Sequence, residues 1–245
     1  MKMTGNSILI TGGGSGIGEG LARAFHKLGN HVIVAGRRRE VLEKSGFDYV
    51  VLDTRDRSAI ARSAVEVARR FPDLNVVINN AGVQRQHDFS GPVNEMAIAE
   101  EIETNILGVI GMAAEFLPRL KSKPSATLIN VSSGLAFVPM ARFPVYCATK
   151  AFVHSFTLSL RHQLRNTSVR VIELAPPWVA TDLGAGHSTL ESTSGRGPMP
   201  LDAFIEAAMQ DLASDLEVLP VAGAKFLYGS GVGAKAAEAF AQMNG

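Results

Sequence analysis

Short runs of β-branched and other apolar residues alternate along the chain with longer segments in which apolar residues recur every three or four positions. This alternation is typical of βαβ units, in which helices connect parallel strands. The strand-like runs show little internal alternation of apolar and polar residues, which favours a sheet covered by helices on both faces. The predicted strands are Ser7–Thr11, His31–Ala35, Tyr49–Asp53, Val76–Asn79, Ala126–Val131 and Val169–Leu174.

Helical periodicity fills the intervals between these strands, with Gly29 ending the first apolar stripe and Pro72 ending the next. No internal repeat and no linker divides the chain. We therefore predict one α/β domain over residues 1–245, a doubly wound parallel sheet with helices on both faces. The predicted helical stretches are Ile17–Leu28, Ile60–Phe71, 94–121, 144–166 and Leu201–Ala213.

Composition narrows the class of protein. The 245 residues are 46% hydrophobic and 19% charged, enough for a buried core without cross-links. A formal net charge of +1 gives no reason to expect nucleic acid or an anionic membrane as a partner. The single cysteine, Cys147, excludes an internal disulfide, and the histidines show no metal-ligand spacing, so we expect no metal site. We expect a cytoplasmic protein, because no signal segment or membrane span is evident.

The first candidate site lies where the first predicted strand ends, in the run Thr11-Gly12-Gly13-Gly14-Ser15-Gly16-Ile17-Gly18. Gly12 permits a sharp turn, Gly16 lets backbone amides approach a pyrophosphate, and Gly18 allows a helix to pack closely on the strand. The N-terminus of that helix presents free N–H groups to phosphates. Glu19 follows Gly18, which excludes a Walker A loop. We predict dinucleotide binding by Gly12, Gly14, Ser15, Gly16, Ile17 and Gly18.

Four features in this order resemble the motifs of the short-chain dehydrogenase/reductase superfamily. They are the glycine-rich turn, the run Asn79-Asn80-Ala81-Gly82, Asn105, and Ser133 followed thirteen residues later by Tyr146-Cys-Ala-Thr-Lys150. The resemblance covers roughly residues 5–182. It implies a Rossmann fold, hydride transfer between a nicotinamide cofactor and a carbonyl or alcohol, and assembly as a homodimer or homotetramer.

Tyr146 and Lys150 are four residues apart, so both lie on one face of the predicted helix. A free tyrosine has a pKa of about 10, and an ammonium about 4 Å away contributes on the order of 4 kcal/mol, or about three pKa units. We therefore expect Lys150 to make Tyr146 a usable acid/base. The resemblance implies that Ser133 hydrogen-bonds the substrate oxygen and that Lys150 also holds the nicotinamide ribose. It implies that Asn105 seats a proton-relaying water, the alternative being a residue that only kinks the helix.

Other classes of function fit these residues less well. A hydrolase would need a Gly-x-Ser-x-Gly elbow and a partnered histidine, which Val131-Ser-Ser-Gly134 does not provide. An epimerase or dehydratase would usually need a longer substrate domain than the chain retains after Thr181. The main alternative is a regulatory protein that senses NADP without turnover, but such a sensor has no use for Asn105, Ser133, Tyr146 and Lys150 together.

The choice of cofactor depends on a position about 20 residues past the glycine turn, where an acid would bind the ribose 2′-hydroxyl. The sequence there is Ala35-Gly36-Arg37-Arg38-Arg39, with no acid before Glu40. An arginine suits a 2′-phosphate, so we favour NADP over NAD, chiefly through Arg37. The alternative is that these arginines form the solvated start of a short helix. The other expected cofactor contacts are Asp53, Asn80, Ala81, Gly82, Tyr146, Lys150, Pro176, Val179 and Thr181.

The sequence departs from the family pattern after the sixth strand, where Pro176-Pro177 replaces the usual Pro-Gly pair and stiffens the loop. This double proline resembles a bacterial subgroup of DltE-type oxidoreductases. The expected substrate is an apolar or aromatic carbonyl compound with one polar group. The expected pocket residues, each of which could instead be simple packing, are Gln84, Arg85, His87, Phe137, Met140, Phe143 and Trp178.

Two C-terminal segments are harder to interpret. Residues 184–200 are rich in Gly and Ser, and because they follow Thr181 we expect a flexible lid over the substrate rather than an idle insertion. The segment 214–245 lacks a recognisable closing strand of the family type. The run Gly229-Ser-Gly-Val-Gly233 within it is interpreted as a turn before a last helix, since no clear strand precedes it.

Overall fold

The computed structural model of the protein describes residues 1–184 and 197–230. It contains the strands β1 (Ser7–Thr11), β2 (His31–Gly36), β3 (Asp48–Val51), β4 (Leu74–Asn79), β5 (Ala126–Val131), β6 (Val169–Ala175) and β7 (Val218–Pro220). All of them pair in parallel in one sheet, in the order β3-β2-β1-β4-β5-β6-β7. The order reverses between β1 and β4, and ligands of such sheets bind at the carboxyl ends of the strands beside that reversal.

Helices connect the strands and cover the sheet. They are α1 (Gly16–Lys27), α2 (Arg39–Lys44), α3 (Arg57–Arg70), α4 (Glu95–Ile102), α5 (Gly108–Lys121), α6 (Pro144–Leu164), α7 (Leu201–Leu212) and α8 (Ala224–Ser230). Local sequence features stabilise the first turns of two of these helices. The Asp56 carboxylate accepts the N–H groups of Ser58 and Ala59 at the start of α3, and Pro144 occupies the first turn of α6.

Alternate residues of each strand contribute to two separate cores, one on each face of the sheet. Ile8 and Ile10 of β1 pack in a cluster with α1 and α7, whereas Leu9 packs with α3, α5 and α6. Both faces of the central strands are therefore buried, which explains why their sequences show little alternation. The predicted doubly wound α/β fold is confirmed.

The sheet has a closing strand, which corrects the expectation for residues 214–245. β7 continues the sheet beyond β6, with Val218 opposite Glu173 and Pro220 opposite Ala175. A strand of three residues carries too little periodic pattern to be recognised in a sequence. Pro220 is tolerated because β7 lies at the edge of the sheet, where a missing N–H leaves no neighbouring strand unpaired.

The long helical stretch predicted over 94–121 is divided by a π-helical turn at Glu103–Leu107, between α4 and α5. Such turns insert one extra residue into a helix and are frequent at functional sites. Asn105 lies in the middle of this turn. The chain therefore stays helical at Asn105, with wider winding instead of a break.

Most of the predicted lid, 184–200, lies outside the described residues, as does most of the predicted turn at 229–233. The backbone of Met199 is described, and it exchanges hydrogen bonds with Trp178 and Ala180. In the described part of the chain, no helix is both long and apolar enough to cross a membrane.

Candidate active site

A cavity of about 670 Å³ follows the carboxyl ends of the strands around the reversal between β1 and β4. This volume lies within the range of small-molecule and cofactor sites. The predicted site residues that line it are Gly12, Gly14, Ser15, Gly16, Ile17, Arg37, Asp53, Asn80, Ala81, Gly82, Gln84, Ser133, Met140, Phe143, Tyr146, Lys150, Pro176, Trp178, Val179 and Thr181. The fold therefore brings together residues from nearly every motif.

The glycine-rich turn joins β1 to α1 at one end of the cavity. Gly12 and Gly16 have φ angles of +66° and +53°, a region in which a side chain is strained. Gly18 has a different reason to lack a side chain, since a Cβ there would lie 2.3 Å from the carbonyl oxygen of Gly12. Gly18 thus allows α1 to pack closely against the turn, while Gly12 and Gly16 shape the surface that faces the cavity.

Thr11 connects this turn to the motif after β4, a role that the sequence reasoning missed. Its hydroxyl accepts the backbone N–H groups of Asn80 at 3.0 Å and Ala81 at 3.1 Å, and donates to the carbonyl of Ile78 at 3.3 Å. The Asn80 side chain donates in return to the Thr11 carbonyl at 2.9 Å. The only signal available in the sequence was the position of Thr11 at the head of the glycine-rich run.

Ser133, Tyr146 and Lys150 meet on the cavity wall. The hydroxyls of Ser133 and Tyr146 are hydrogen-bonded to each other. The Lys150 ammonium lies 5.6 Å from the centre of the Tyr146 ring and donates to the Val131 carbonyl at 2.9 Å. All three side chains belong to buried residues, which α6 and the end of β5 hold in place.

The electrostatics of this cluster differ from the sequence-based expectation. Burial raises the pKa of Tyr146 above its ordinary value, and the hydrogen bond from Ser133 offsets this only in part. The same burial lowers the pKa of Lys150 to about 8. Desolvation disfavours the charged form of each group, and Lys150 faces the ring of Tyr146 and the Val131 carbonyl. Tyr146 is therefore a neutral phenol near pH 7, which is the form that donates a proton.

Asn105 ties the π-helical turn to the surrounding elements. Its side-chain oxygen accepts the N–H of Val83 at 2.9 Å, and its amide donates to the Val83 carbonyl at 2.8 Å and to the Thr149 hydroxyl at 3.1 Å. Asn105 thus holds the segment after Gly82 against α6, the helix that carries Tyr146 and Lys150. Its proton-relay role stays a prediction.

Comparison with known proteins decides the family. The model of the short chain dehydrogenase family matches residues 6–191 of this chain. The protein belongs to the short-chain dehydrogenase family. It is accordingly an oxidoreductase, and the resemblance inferred from the four motifs is confirmed.

Relatives of this short-chain dehydrogenase support that assignment. A Bacillus subtilis protein named uncharacterized oxidoreductase DltE is 44% identical over 80% of this chain and 81% of the relative, in agreement with the predicted subgroup. The NADP-dependent 3-hydroxy acid dehydrogenase YdfG of Salmonella typhi is 35% identical over 69% of this chain and 71% of the relative. A short chain dehydrogenase from Burkholderia cenocepacia, solved in complex with NADP, covers 99% of this chain and 98% of its own with a TM-score of 0.84 at 26% identity.

We call the part of the cavity lined by the glycine-rich turn, Arg37 and Asp53 the cofactor end. Charged side chains there form a cluster centred on Glu100. This carboxylate lies 3.5 Å from Arg37 and 3.2 Å from Arg55, and it also binds Arg85. Arg55 forms a further ion pair with Asp53 at 2.7 Å, and hydrogen bonding to Arg55 lowers the pKa of Asp53. Sequence reasoning identified Arg37 and Asp53 but missed Arg55 and Glu100, because no local pattern connects these distant positions.

We call the part of the cavity lined by Gln84, Met140, Phe143 and Trp178 the substrate end. Three other residues expected in the pocket have their contacts elsewhere. Phe137 packs edge-on against His154 and Tyr228, in a cluster with Ala136 and Ala175. Arg85 binds Glu100 instead of facing the cavity, and His87 is buried against a second glutamate. The other expected pocket residues, Gln84, Met140, Phe143 and Trp178, line the cavity.

Among residues 1–184 and 197–230, no three His, Cys, Asp or Glu side chains are grouped closely enough to hold a metal ion.

Proposed function

We propose that this protein is an NADP-dependent oxidoreductase that interconverts a ketone or aldehyde and the corresponding alcohol, with Tyr146 as the acid/base. The observation that carries the proposal is the buried contact of Ser133, Tyr146 and Lys150 on the wall of a cavity that begins at the glycine-rich turn. A nicotinamide bound along this cavity supplies or accepts the hydride. The residues of the chain bind it, orient the substrate and move the proton.

In the reducing direction, the substrate oxygen replaces the mutual hydrogen bond of Ser133 and Tyr146 and accepts a hydrogen bond from each hydroxyl. Donors fixed in a buried site stabilise negative charge that develops on a carbonyl oxygen. Tyr146 then transfers its proton to that oxygen, since burial keeps it a phenol. Lys150, with a pKa of about 8, exchanges protons near neutral pH and can return one to Tyr146.

The preference for NADP rests on charge at the far end of the cavity. Arg37 and Arg38 both line the cavity, and the side chain of Arg37 is 53% exposed. An exposed guanidinium can form two parallel hydrogen bonds with a phosphate, which a ribose hydroxyl does not offer. The relative from Salmonella typhi is named NADP-dependent, and the structural neighbour from Burkholderia cenocepacia binds NADP, which supports this choice.

The apolar wall of Met140, Phe143 and Trp178 with Gln84 beside it suits an apolar carbonyl compound with one polar group. The name of the Salmonella typhi relative adds 3-hydroxy acids as a substrate class worth testing in the oxidising direction. Assembly as a homodimer or homotetramer is part of the same proposal, on the strength of the family resemblance.

The decisive experiment is a turnover assay with purified protein. NADPH is mixed with a panel of aliphatic and aromatic ketones and aldehydes, and NADP with alcohols and 3-hydroxy acids, while NADPH absorbance is followed. We expect turnover with at least one pair and none with the Tyr146→Phe variant. Tight NADPH binding without turnover across the whole panel would instead support the sensor alternative.

A further inference from the structure

Glu101, on the last turn of α4, is a buried carboxylate that the proposed chemistry does not use. Its exposed fraction is 0%, and both of its oxygens are hydrogen-bonded to one neighbouring segment. One oxygen accepts the backbone N–H of Arg85 at 3.2 Å, and the other lies 2.9 Å from Nε2 of His87, whose side chain is 3% exposed. A carboxylate is rarely buried without such partners, because losing its hydration is unfavourable.

The segment that Glu101 holds runs from Gly82 to Asp88 and has no helix or strand hydrogen bonds of its own. Its placement therefore depends on contacts made by other elements. Asn105 holds Val83 through two hydrogen bonds. Further along the segment, Glu101 binds Arg85 and His87. Gln84, on the cavity wall, lies directly between these two anchor points.

His87 extends this connection to a second segment that lines the cavity. Its backbone N–H donates to the carbonyl of Arg142 at 3.4 Å. The segment that contains Arg142 also carries Met140 and Phe143, two of the apolar residues that line the substrate end. The contact between Glu101 and His87 therefore connects to both lining segments, the one with Gln84 and the one with Met140 and Phe143, although neither Glu101 nor His87 lines the cavity.

We propose that Glu101 is a positioning residue that, through His87, sets the width of the substrate end and so discriminates between carbonyl substrates of different size. The selectivity part rests on the proposed function, whereas the positioning of the loop does not. Three further groups, Tyr146, Cys147 and Lys150 of α6, experience the charge of Glu101, so the pair lies close to the reacting groups without touching the substrate.

The test uses the double variant Glu101→Leu/His87→Phe, which replaces the pair by apolar side chains of similar volume. Exchanging a complete buried pair for apolar residues is often neutral for stability, whereas removing one partner is not. Glu95→Gln is the matched control, since Glu95 is an exposed glutamate on the first turn of the same helix.

The first measurement is amide hydrogen exchange on the free protein. We expect the Arg85 amide to exchange at least about tenfold faster in the double variant, while amides of β5 keep their wild-type rates. The control should match the wild type throughout. Equal exchange at Arg85 in the double variant and the wild type would overturn the positioning role.

The second measurement is the ratio of kcat/KM for a bulky aromatic ketone to that for a small aliphatic ketone, with NADPH as the reductant. We expect this ratio to change at least about tenfold through KM, with the Kd for NADPH within about twofold of the wild type. Faster exchange with an unchanged ratio would overturn the selectivity assignment.

Two further outcomes are distinguishable. A wild-type protein without turnover would contradict the proposed function alone, and the exchange rates would still decide whether Glu101 holds the loop. If the double variant does not fold, Glu101→Met decides in its place. That variant removes both acceptor oxygens and keeps the length of the side chain, and we expect at least about threefold faster exchange at the Arg85 amide. Wild-type exchange in this variant would overturn the proposal.

Discussion

The two ends of the cavity are built in different ways. At the cofactor end, the turn from Thr11 to Gly18 contributes five lining residues from one short stretch, and backbone conformation such as the φ of +66° at Gly12 decides its shape. At the substrate end, the walls come from separate loops, and contacts such as that between Glu101 and His87 hold them. A site built from consecutive residues under local constraint is recognisable in a sequence, whereas a site built from distant side-chain pairs is not.

The largest expected effect comes from Tyr146, which lies where the two ends meet. Tyr146→Phe removes the proton donor and leaves the glycine-rich turn intact, so kcat should fall by about 10²- to 10⁴-fold. The Kd for NADPH, measured by fluorescence titration, should stay within about twofold of the wild type. Tyr49→Phe removes a hydroxyl that binds Glu43 on the surface and serves as the control. A variant that keeps more than a few per cent of kcat would show that Tyr146 is not the acid/base.

The next effect concerns the cofactor end alone. Arg37→Asp places a carboxylate at the proposed position of the 2′-phosphate, and the ratio of kcat/KM for NADPH to that for NADH should fall about 100-fold, since like charges in contact are strongly unfavourable. The control is Arg39→Asp, because Arg39 begins α2 and pairs with Glu43 outside the cavity. A wild-type preference for NADH would refute the cofactor assignment.

Stability at alkaline pH tests the burial of Lys150 directly. Its pKa is about 8 in the folded protein and near 10.5 in the unfolded chain, so the unfolded state binds more protons between these values. The contribution of Lys150 to the free energy of unfolding should therefore rise with pH in this window, by about 2 kcal/mol between about pH 7 and pH 10. Burial raises the pKa of Cys147 and of Tyr146, so both oppose this rise, and the Lys150 contribution is measured as the difference between the wild type and a variant without the ammonium.

The measurement for Lys150 is urea unfolding of the wild type and of Lys150→Met at both pH values. We expect the variant to lose this increase, whereas Lys121→Met, at an exposed position on α5, should keep it. The same pH dependence in the wild type and Lys150→Met would contradict the lowered pKa.

The smallest expected effect comes from Gly18, which packs at the cofactor end without lining the cavity. Gly18→Ala brings a Cβ to 2.3 Å from the Gly12 carbonyl oxygen, so the turn must shift. We expect about tenfold weaker NADPH binding, corresponding to overpacking of about 1–3 kcal/mol, with little change in kcat at saturating NADPH. Gly91→Ala, where no atom lies within 4 Å of the added Cβ, is the control. Unchanged NADPH affinity would show that the turn adapts.

Much of the fold was predictable from local pattern. The six predicted strands lie within two residues of β1 to β6, because each carries a run of β-branched residues bounded by turn or helix signals. β7 was not predictable, since its three residues are strand-forming only beside β6. Likewise, the π-helical turn around Asn105 depends on its bonds to Val83 and Thr149, which the periodicity of α4 and α5 does not encode.

The sequence by itself determined the doubly wound fold, the glycine-rich turn and the placement of Tyr146 and Lys150 on one helix face. It could do so because strand and helix periods, glycine conformation and the spacing of residues on one helix face are local properties. Tertiary structure alone decided that burial raises the pKa of Tyr146, that Phe137 packs against His154, and that Glu101 binds the segment from Gly82 to Asp88. These outcomes depend on which surfaces the fold brings into contact, because desolvation and side-chain pairing act between residues that are distant along the chain.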